Sequence, residues 1–276
     1  MSSNSPSSSG LGSLLAGFLG ALTGLSGGVV IVPLLTLAFG VDIRYAIGAS
    51  LVSVIATSSG AAAAYVKEGF SNIRIGMFLE IATTLGALVG ASIAARSSTR
   101  VIALIFGIVL LHSAYLSMRP RPEPTARGQP DPLAKALKMD ASYPTPRGPR
   151  AYHAHSIPTG FSLMFVAGLL SGLLGIGSGA VKVLAMDQAM RIPFKVSTTT
   201  SNFMIGVTAA ASAGIYLNRG YIDPGLTMPV MLGVLLGAAL GASILVVART
   251  KLLRVIFALV IVTLGFEMIY KGLTGA

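Results

Sequence analysis

Lys182 stands in an apolar run, among Ala180, Val181, Val183 and Leu184, just after the cluster Gly175-Ile176-Gly177-Ser178-Gly179. A charge inside such a run is a functional hypothesis, because burying it without a partner is costly. Further on, Ser197-Thr198-Thr199-Thr200-Ser201-Asn202 opens the next apolar segment with six consecutive small polar residues. Their hydroxyls, with the free N–H groups of a helix start, could hold an anion without a full counter-charge. One cation plus several oriented dipoles is the chemistry on offer. The plainer readings are that Lys182 snorkels or pairs with Asp187, and that the hydroxyls cap a helix or bond between helices. Glu80, in another apolar stretch, could exchange a proton during a transport cycle or lie near the headgroups.

Two glycine clusters must position these groups. Gly24-Leu25-Ser26-Gly27-Gly28-Val29-Val30-Ile31-Val32-Pro33 lies early in the chain and Gly175 to Gly179 is its echo. Glycine lets a backbone leave helical geometry or approach a ligand closely. Non-helical backbone survives at membrane depth only when buried in protein or lining a cavity. A break near the midplane in both halves of a duplicated membrane protein points to a transport site.

Composition fits that setting. Of 276 residues, 53% are hydrophobic and 11% charged, and the mean hydropathy is +0.79; soluble domains carry about 25% charged residues. The chain therefore reads as an all-α polytopic membrane protein. Its net charge of +11 sits mostly between the apolar segments, where Lys and Arg set orientation. No basic helix interleaved with aromatics is present, so nucleic acid is set aside as a partner. Without cysteine, disulfides and thiolate chemistry are excluded.

In chain order, Met1 to Gly10 is a Ser-rich tail read as disordered. Leu11 to Phe39 exceeds the roughly 20 residues a simple span needs. Its internal glycines suggest two half-helices, as a broken span or a re-entrant hairpin. Apolar sequence runs too long there for a signal-peptide core, so the segment is read as retained. Tyr45 to Val66, Ile75 to Ala95 and Val101 to Met118 are the next spans. Gly86 and Gly90 in the third allow another helix to approach closely. Arg119 to Ser156 is Pro-, Arg- and Lys-rich and reads as a mobile linker, with a short helix at Pro132 to Lys138.

Residues 157–276 then repeat 11–118. An offset of 151 pairs Gly24 with Gly175, Gly28 with Gly179, Ser50 with Ser201, Thr57 with Thr208, Gly86 with Gly237 and Gly90 with Gly241. Glycines and loop residues in register over such a length mean duplication. Loop charges are nearly balanced, as two oppositely inserted halves would make them, though a miscounted span would do the same. The reading adopted is about eight hydrophobic segments in two halves, as inverted repeats.

At these residues the chain resembles the TauE/SafE sulfite exporter family. Gly24 to Leu35, Ala49-Ser50-Leu51 and Gly175 to Gly179 carry the resemblance, which covers everything but the tail and the linker. It implies a multi-pass transporter in the inner cell membrane that moves small anions such as sulfite, organosulfonates and related acids. The two halves are not equivalent, because Lys182 and Leu184 stand where Ile31 and Pro33 do.

The candidate substrate-binding set is Gly24, Ser26, Gly27, Gly28, Ser50, Gly175, Gly177, Ser178, Gly179, Lys182, Thr198, Thr199, Thr200, Ser201 and Asn202. Glu80 is the proton-coupling candidate. No catalytic residue, metal or cofactor is expected, and a homodimer is an assembly the sequence does not decide. A carrier for another solute, including a cation held by Glu80, is the alternative. Gly24-Leu25-Ser26-Gly27 also fits the Gly-x-Ser-Gly pattern of rhomboid-like proteases with His112 as base, but such a pattern arises easily in Gly- and Ser-rich sequence. His153 and His155, in the linker, are too few for a metal.

Overall fold

The structure is a computed structural model that describes residues 28–67, 71–118, 131–144, 148–245 and 250–275. Apart from one small sheet, its regular elements are helical. They are α1 (Gly28–Pro33), α2 (Ile43–Lys67), α3 (Ile73–Arg96), α4 (Thr99–Met118) and α5 (Pro132–Ala136). Then follow β1 (Ala141–Tyr143), β2 (Arg150–Tyr152), α6 (Ile157–Leu174), α7 (Gly179–Leu184), α8 (Phe194–Asn218), α9 (Pro224–Leu245) and α10 (Thr250–Thr274). Wide π-type turns, Leu34–Ala38 and Ala185–Ala189, extend α1 and α7. Bounds recur at a spacing of 151: 28 to 179, 34 to 185, 43 to 194 and 99 to 250.

Among the described residues, α3 and α6 are long and apolar enough to cross a membrane; shorter apolar helical stretches lie at Gly28–Ala38, Ile43–Ser59, Thr99–Tyr115 and Pro224–Gly237. The first segment expected from sequence, up to Gly27, lies outside the described residues. α3 is built inside out relative to a soluble helix. Met77, Ile81, Leu85, Val89 and Ile93, four residues apart, are exposed, while Glu80, Thr83, Gly86 and Gly90 are buried. A soluble helix shows polar residues outward and apolar ones inward.

Close packing holds α3 to α6. A Cβ on Gly86 would collide with the Phe165 carbonyl, one on Gly90 with that of Leu169, one on Gly168 with that of Thr83, and one on Gly172 with that of Ala87. The small-residue spacing read from Gly86 and Gly90 thus meets a matching pair on α6, which brings two backbones together. α8 packs on both α2 and α3, and α4 packs on α10. The hydroxyl-bearing helix α8 therefore sits beside the helix that carries Glu80.

The linker differs from the sequence expectation. Residues 131–144 and 148–156 dock through four buried residues instead of standing off. Ala134, Met139, Tyr152 and Ala154 are buried in a cluster with Ile75, Leu79, Met186 and Met190. Asn72 caps α3 by accepting from Ile75 N, and its Nδ2 donates to the Met139 carbonyl at 3.1 Å and to Tyr152 Oη at 2.7 Å. Asp131 caps α5 through Leu133 N and also accepts from Ile157 N. Composition hid this because docking rests on only a few residues of the segment, while Leu133 and Leu137 stay exposed. The short helix is present as Pro132–Ala136.

Two outcomes follow. Gly172→Ala should cost about 1–3 kcal/mol by overpacking, seen as a lower melting temperature in detergent. Gly214→Ala, whose Cβ would meet nothing within 4 Å, should leave the melting temperature unchanged or raise it. For the linker, burial pushes the Tyr152 phenol from 10.0 up to about 12, opposed by the Asn72 hydrogen bond and reinforced by the Asp140 charge. The neutral phenol's contribution is thus full below pH 10 and lost as pH rises towards 12. Wild-type protein should lose more melting temperature between pH 10 and 12 than Tyr152→Phe protein; equal losses would mean Tyr152 does not hold the linker.

Candidate functional site

The site begins where α6 ends. Gly175 closes α6 in the left-handed region at φ +68, its N–H donating to the Ser171 carbonyl at 2.8 Å. Gly177 repeats that φ, and Ser178 follows at φ +43. Three positive φ values in four residues turn the chain out of the helix, and glycine makes two of them inexpensive. Ser178 Oγ donates to the Ala167 carbonyl at 2.6 Å, tying the break back onto α6. α7 then restarts at Gly179.

This break meets the first half. Ser50 Oγ on α2 donates to the Gly175 carbonyl at 2.8 Å. A Cβ on Gly28 would come 2.6 Å from Ser50 Oγ and 2.7 Å from the Gly175 carbonyl. Gly28, Ser50 and Gly175, chosen from sequence, are therefore brought together. Gly24, Ser26 and Gly27 lie outside the described residues.

Lys182 is one turn into α7 and fully buried, at 0% exposure. Its Nζ donates to Thr208 Oγ1 on α8 at 2.6 Å. Thr208 Oγ1 in turn lies 2.6 Å from Glu80 Oε1 on α3 and 2.9 Å from the Met204 carbonyl. Accepting from the ammonium leaves the hydroxyl proton free to go to the carboxylate. Thr84 Oγ1 also donates to Glu80 Oε1, at 3.1 Å, whereas the buried Glu80 Oε2 has no hydrogen-bond partner among the described residues. The result is a cation, a hydroxyl and a carboxylate in line, drawn from three helices. The hydrogen bond of Lys182 goes to Thr208 and not to Asp187, the partner considered from sequence. Glu80, 7% exposed, is part of the buried network.

The hydroxyl run is less convergent than its composition suggests. Thr198 Oγ1 donates to the Phe194 carbonyl, and Thr199 Oγ1 to the carbonyls of Lys195 and Val196, all within the first turns of α8. Such back-bonding is common for hydroxyls in helices. Thr200 Oγ1 accepts from Asn72 N at 3.0 Å, so it supports the start of α3. Ser201 Oγ reaches the Gly179 carbonyl at 3.4 Å, beside the break, and Asn202 is half-buried on α8. Of the run, Ser201 is the member that touches the glycine segment.

Thr208 and Thr84 were missed from sequence. A signal existed for Thr208: Ser197, Ser201, Thr208 and Ser212 form one buried polar face of α8, at spacings that share a helix side. Among the described residues, no cluster of three or more His, Asp or Glu could hold a metal ion.

The geometry can be set beside known proteins. A family model described as Sulfite exporter TauE/SafE matches residues 10–268. The chain is 29% identical to the "Probable membrane transporter protein YunE" of Bacillus subtilis (strain 168), over 94% of this chain and 96% of that one. It is 25% identical to a "Probable membrane transporter protein" of Xylella fastidiosa (strain 9a5c), over 94% and 92%. A third relative, "Probable membrane transporter protein YdhB" of Bacillus subtilis (strain 168), is 24% identical over 83% and 84%. No solved structure matches.

The network makes a stability prediction. Lys182→Met alone leaves Glu80 buried without its cation, and breaking a buried pair from one side costs about 3–5 kcal/mol. The double variant Lys182→Met/Glu80→Gln removes both charges and should recover most of the lost melting temperature. Additive losses in the double variant would show that the two groups are not coupled.

Proposed function

The chain belongs to the TauE/SafE sulfite exporter family, and we propose that, as a membrane transporter of that family, it is a secondary carrier of small anions, with sulfite or an organosulfonate as its substrate class. It is a transporter and not an enzyme, which retires the protease pattern around Ser26. The observation that carries the anion reading is the fully buried Lys182 ammonium beside the glycine break. In a low-dielectric interior an anion needs an opposite charge or several oriented dipoles. Lys182 supplies the charge, and Ser50, Ser178 and Ser201 line the broken backbone next to it.

Glu80 gives the same site a coupling role. Its carboxylate occupies the field of Lys182 through Thr208, where an entering anion would compete with it. Protonating Glu80 would free the ammonium for substrate, so anion and proton would bind together. Two membrane halves, 11–118 and 157–276, inserted in opposite senses into the inner cell membrane, are the scaffold in this reading. The 151-residue recurrence of element bounds supports the division into two similar halves. The second reading, a carrier for a cation, rests on the Glu80 Oε2 atom that has no partner among the described residues.

Proteoliposomes test both. Wild-type protein should take up sulfite or a small sulfonate faster when an inward proton gradient is imposed. Glu80→Gln should abolish the gradient's effect while anion binding persists. Lys182→Arg should restore only part of the flux lost in Lys182→Met, because a planar guanidinium is not a compact ammonium. Absence of flux for sulfite, sulfonates and small carboxylates would end the anion reading, and Glu80-dependent cation flux would replace it.

A further inference from the structure

A second charged site lies away from the Lys182 network, where α1, α2, α4 and α10 end or begin. A cavity of about 280 Å³ is lined there by Thr36, Asp42, Thr99, Arg100 and Lys271, with apolar neighbours. Arg100 is the second residue of α4, a helix of 20 residues with no acidic residue in its first turn. A cation at that end opposes the helix dipole, and the first N–H groups of the helix have no intrahelical acceptor. Among the described residues no carboxylate lies within ion-pair distance of Arg100 or Lys271. Positive potential is thus accumulated from three sources.

Two further features show construction. Lys271 Nζ donates to the Thr36 carbonyl at 2.9 Å, an acceptor belonging to the wide turn Leu34–Ala38. That bond fixes the lysine at the cavity and leaves two of its three protons available. The Thr36 hydroxyl, on a residue 2% exposed, has no hydrogen-bond partner among the described residues. A buried polar atom without a partner is uncommon and asks for a ligand. Asp42 is the one carboxylate on the lining, and its Oδ1 accepts from Arg44 N at 2.9 Å as an α2 cap. The lining cations still outnumber it.

We infer that this cavity binds a tetrahedral oxyanion of the sulfate or phosphate type, with Arg100 and Lys271 as cations, Thr36 as hydroxyl donor and the α4 N-terminus as dipole. The oxyanion is either a free solute or the phosphate of a phospholipid headgroup, and the site acts independently of Lys182. The cavity's position among the charged helix ends Asp42, Arg44, Arg96, Arg100 and Lys271 suits either source.

Calorimetric titration of the purified full chain with sodium sulfate reads the first source. Native mass spectrometry after release from phosphatidylglycerol nanodiscs reads the second. Arg100→Gln should weaken sulfate binding about tenfold or strip the retained lipid, since a charge-assisted hydrogen bond is lost. Arg100 is exposed, so this variant should keep its melting temperature. Thr36→Val should weaken binding less. A sulfate response lost in Arg100→Gln and kept in Lys182→Met/Glu80→Gln assigns a free anion to this cavity, whatever becomes of the central site. Lipid lost in Arg100→Gln with no wild-type sulfate response assigns a headgroup. Wild-type protein that binds neither, Arg100→Gln protein that binds as wild type does, or a sulfate response that disappears with Lys182 and Glu80 overturns the inference.

Discussion

A lysine ammonium with no exposed surface is the constraint around which the other elements are arranged. Solvating it from within the protein requires a hydroxyl close by and a carboxylate behind that hydroxyl. The hydroxyl must come from α8 and the carboxylate from α3, so α7, α8 and α3 must converge. α3 can reach this point because its glycines let α6 lie backbone against backbone, and α6 ends at the break from which α7 starts. Packing of small residues and solvation of one charge are therefore two parts of one arrangement.

The same constraint explains why the break is held so firmly. A positive φ at Ser178 is strained for a residue with a side chain. It persists because Ser178 Oγ anchors on the Ala167 carbonyl while Ser50 takes the Gly175 carbonyl. The Ser50 bond satisfies a carbonyl that the interrupted helix would leave without a partner in an apolar setting, and the Ser178 bond ties the turn to the helix before it. The hydroxyls closest to the break thus both stabilise it and give it a polar surface.

Much of the fold was legible in the sequence, because membrane helices announce themselves by apolar length and glycine spacing. Gly28, Ser50, Gly175 and Lys182 could be singled out from residue type and matched position. The pairing of Thr208 with Glu80 could not, since they lie 128 residues apart and hydropathy carries no information on which helices face each other. The run Ser197 to Asn202 over-promised for a local reason: Thr198 and Thr199 find acceptors within their own helix, an outcome residue type alone does not reveal. The linker misled in the opposite direction. Its prolines and charges dominate the composition, yet docking depends on Ala134, Met139, Tyr152 and Ala154 and on the amide of Asn72 from outside it.

The charges occupy one copy only of the matched positions. Ile31 stands 151 residues before Lys182, and Met231 stands 151 residues after Glu80; Ile31 is buried like its counterpart. Thr57 and Thr208 are both threonine, but Thr57 Oγ1 bonds back to the carbonyls of Ser53 and Val54 within α2. The difference in partners follows from the difference in charge: with no ammonium to accept from and no carboxylate to reach, the Thr57 hydroxyl satisfies itself locally. A second buried ion pair would add a second desolvation cost, so apolar residues at the matched positions are the less expensive choice. The single charged network thus joins the two sides of the chain, with Glu80 supplied from before the linker and Lys182 and Thr208 from after it.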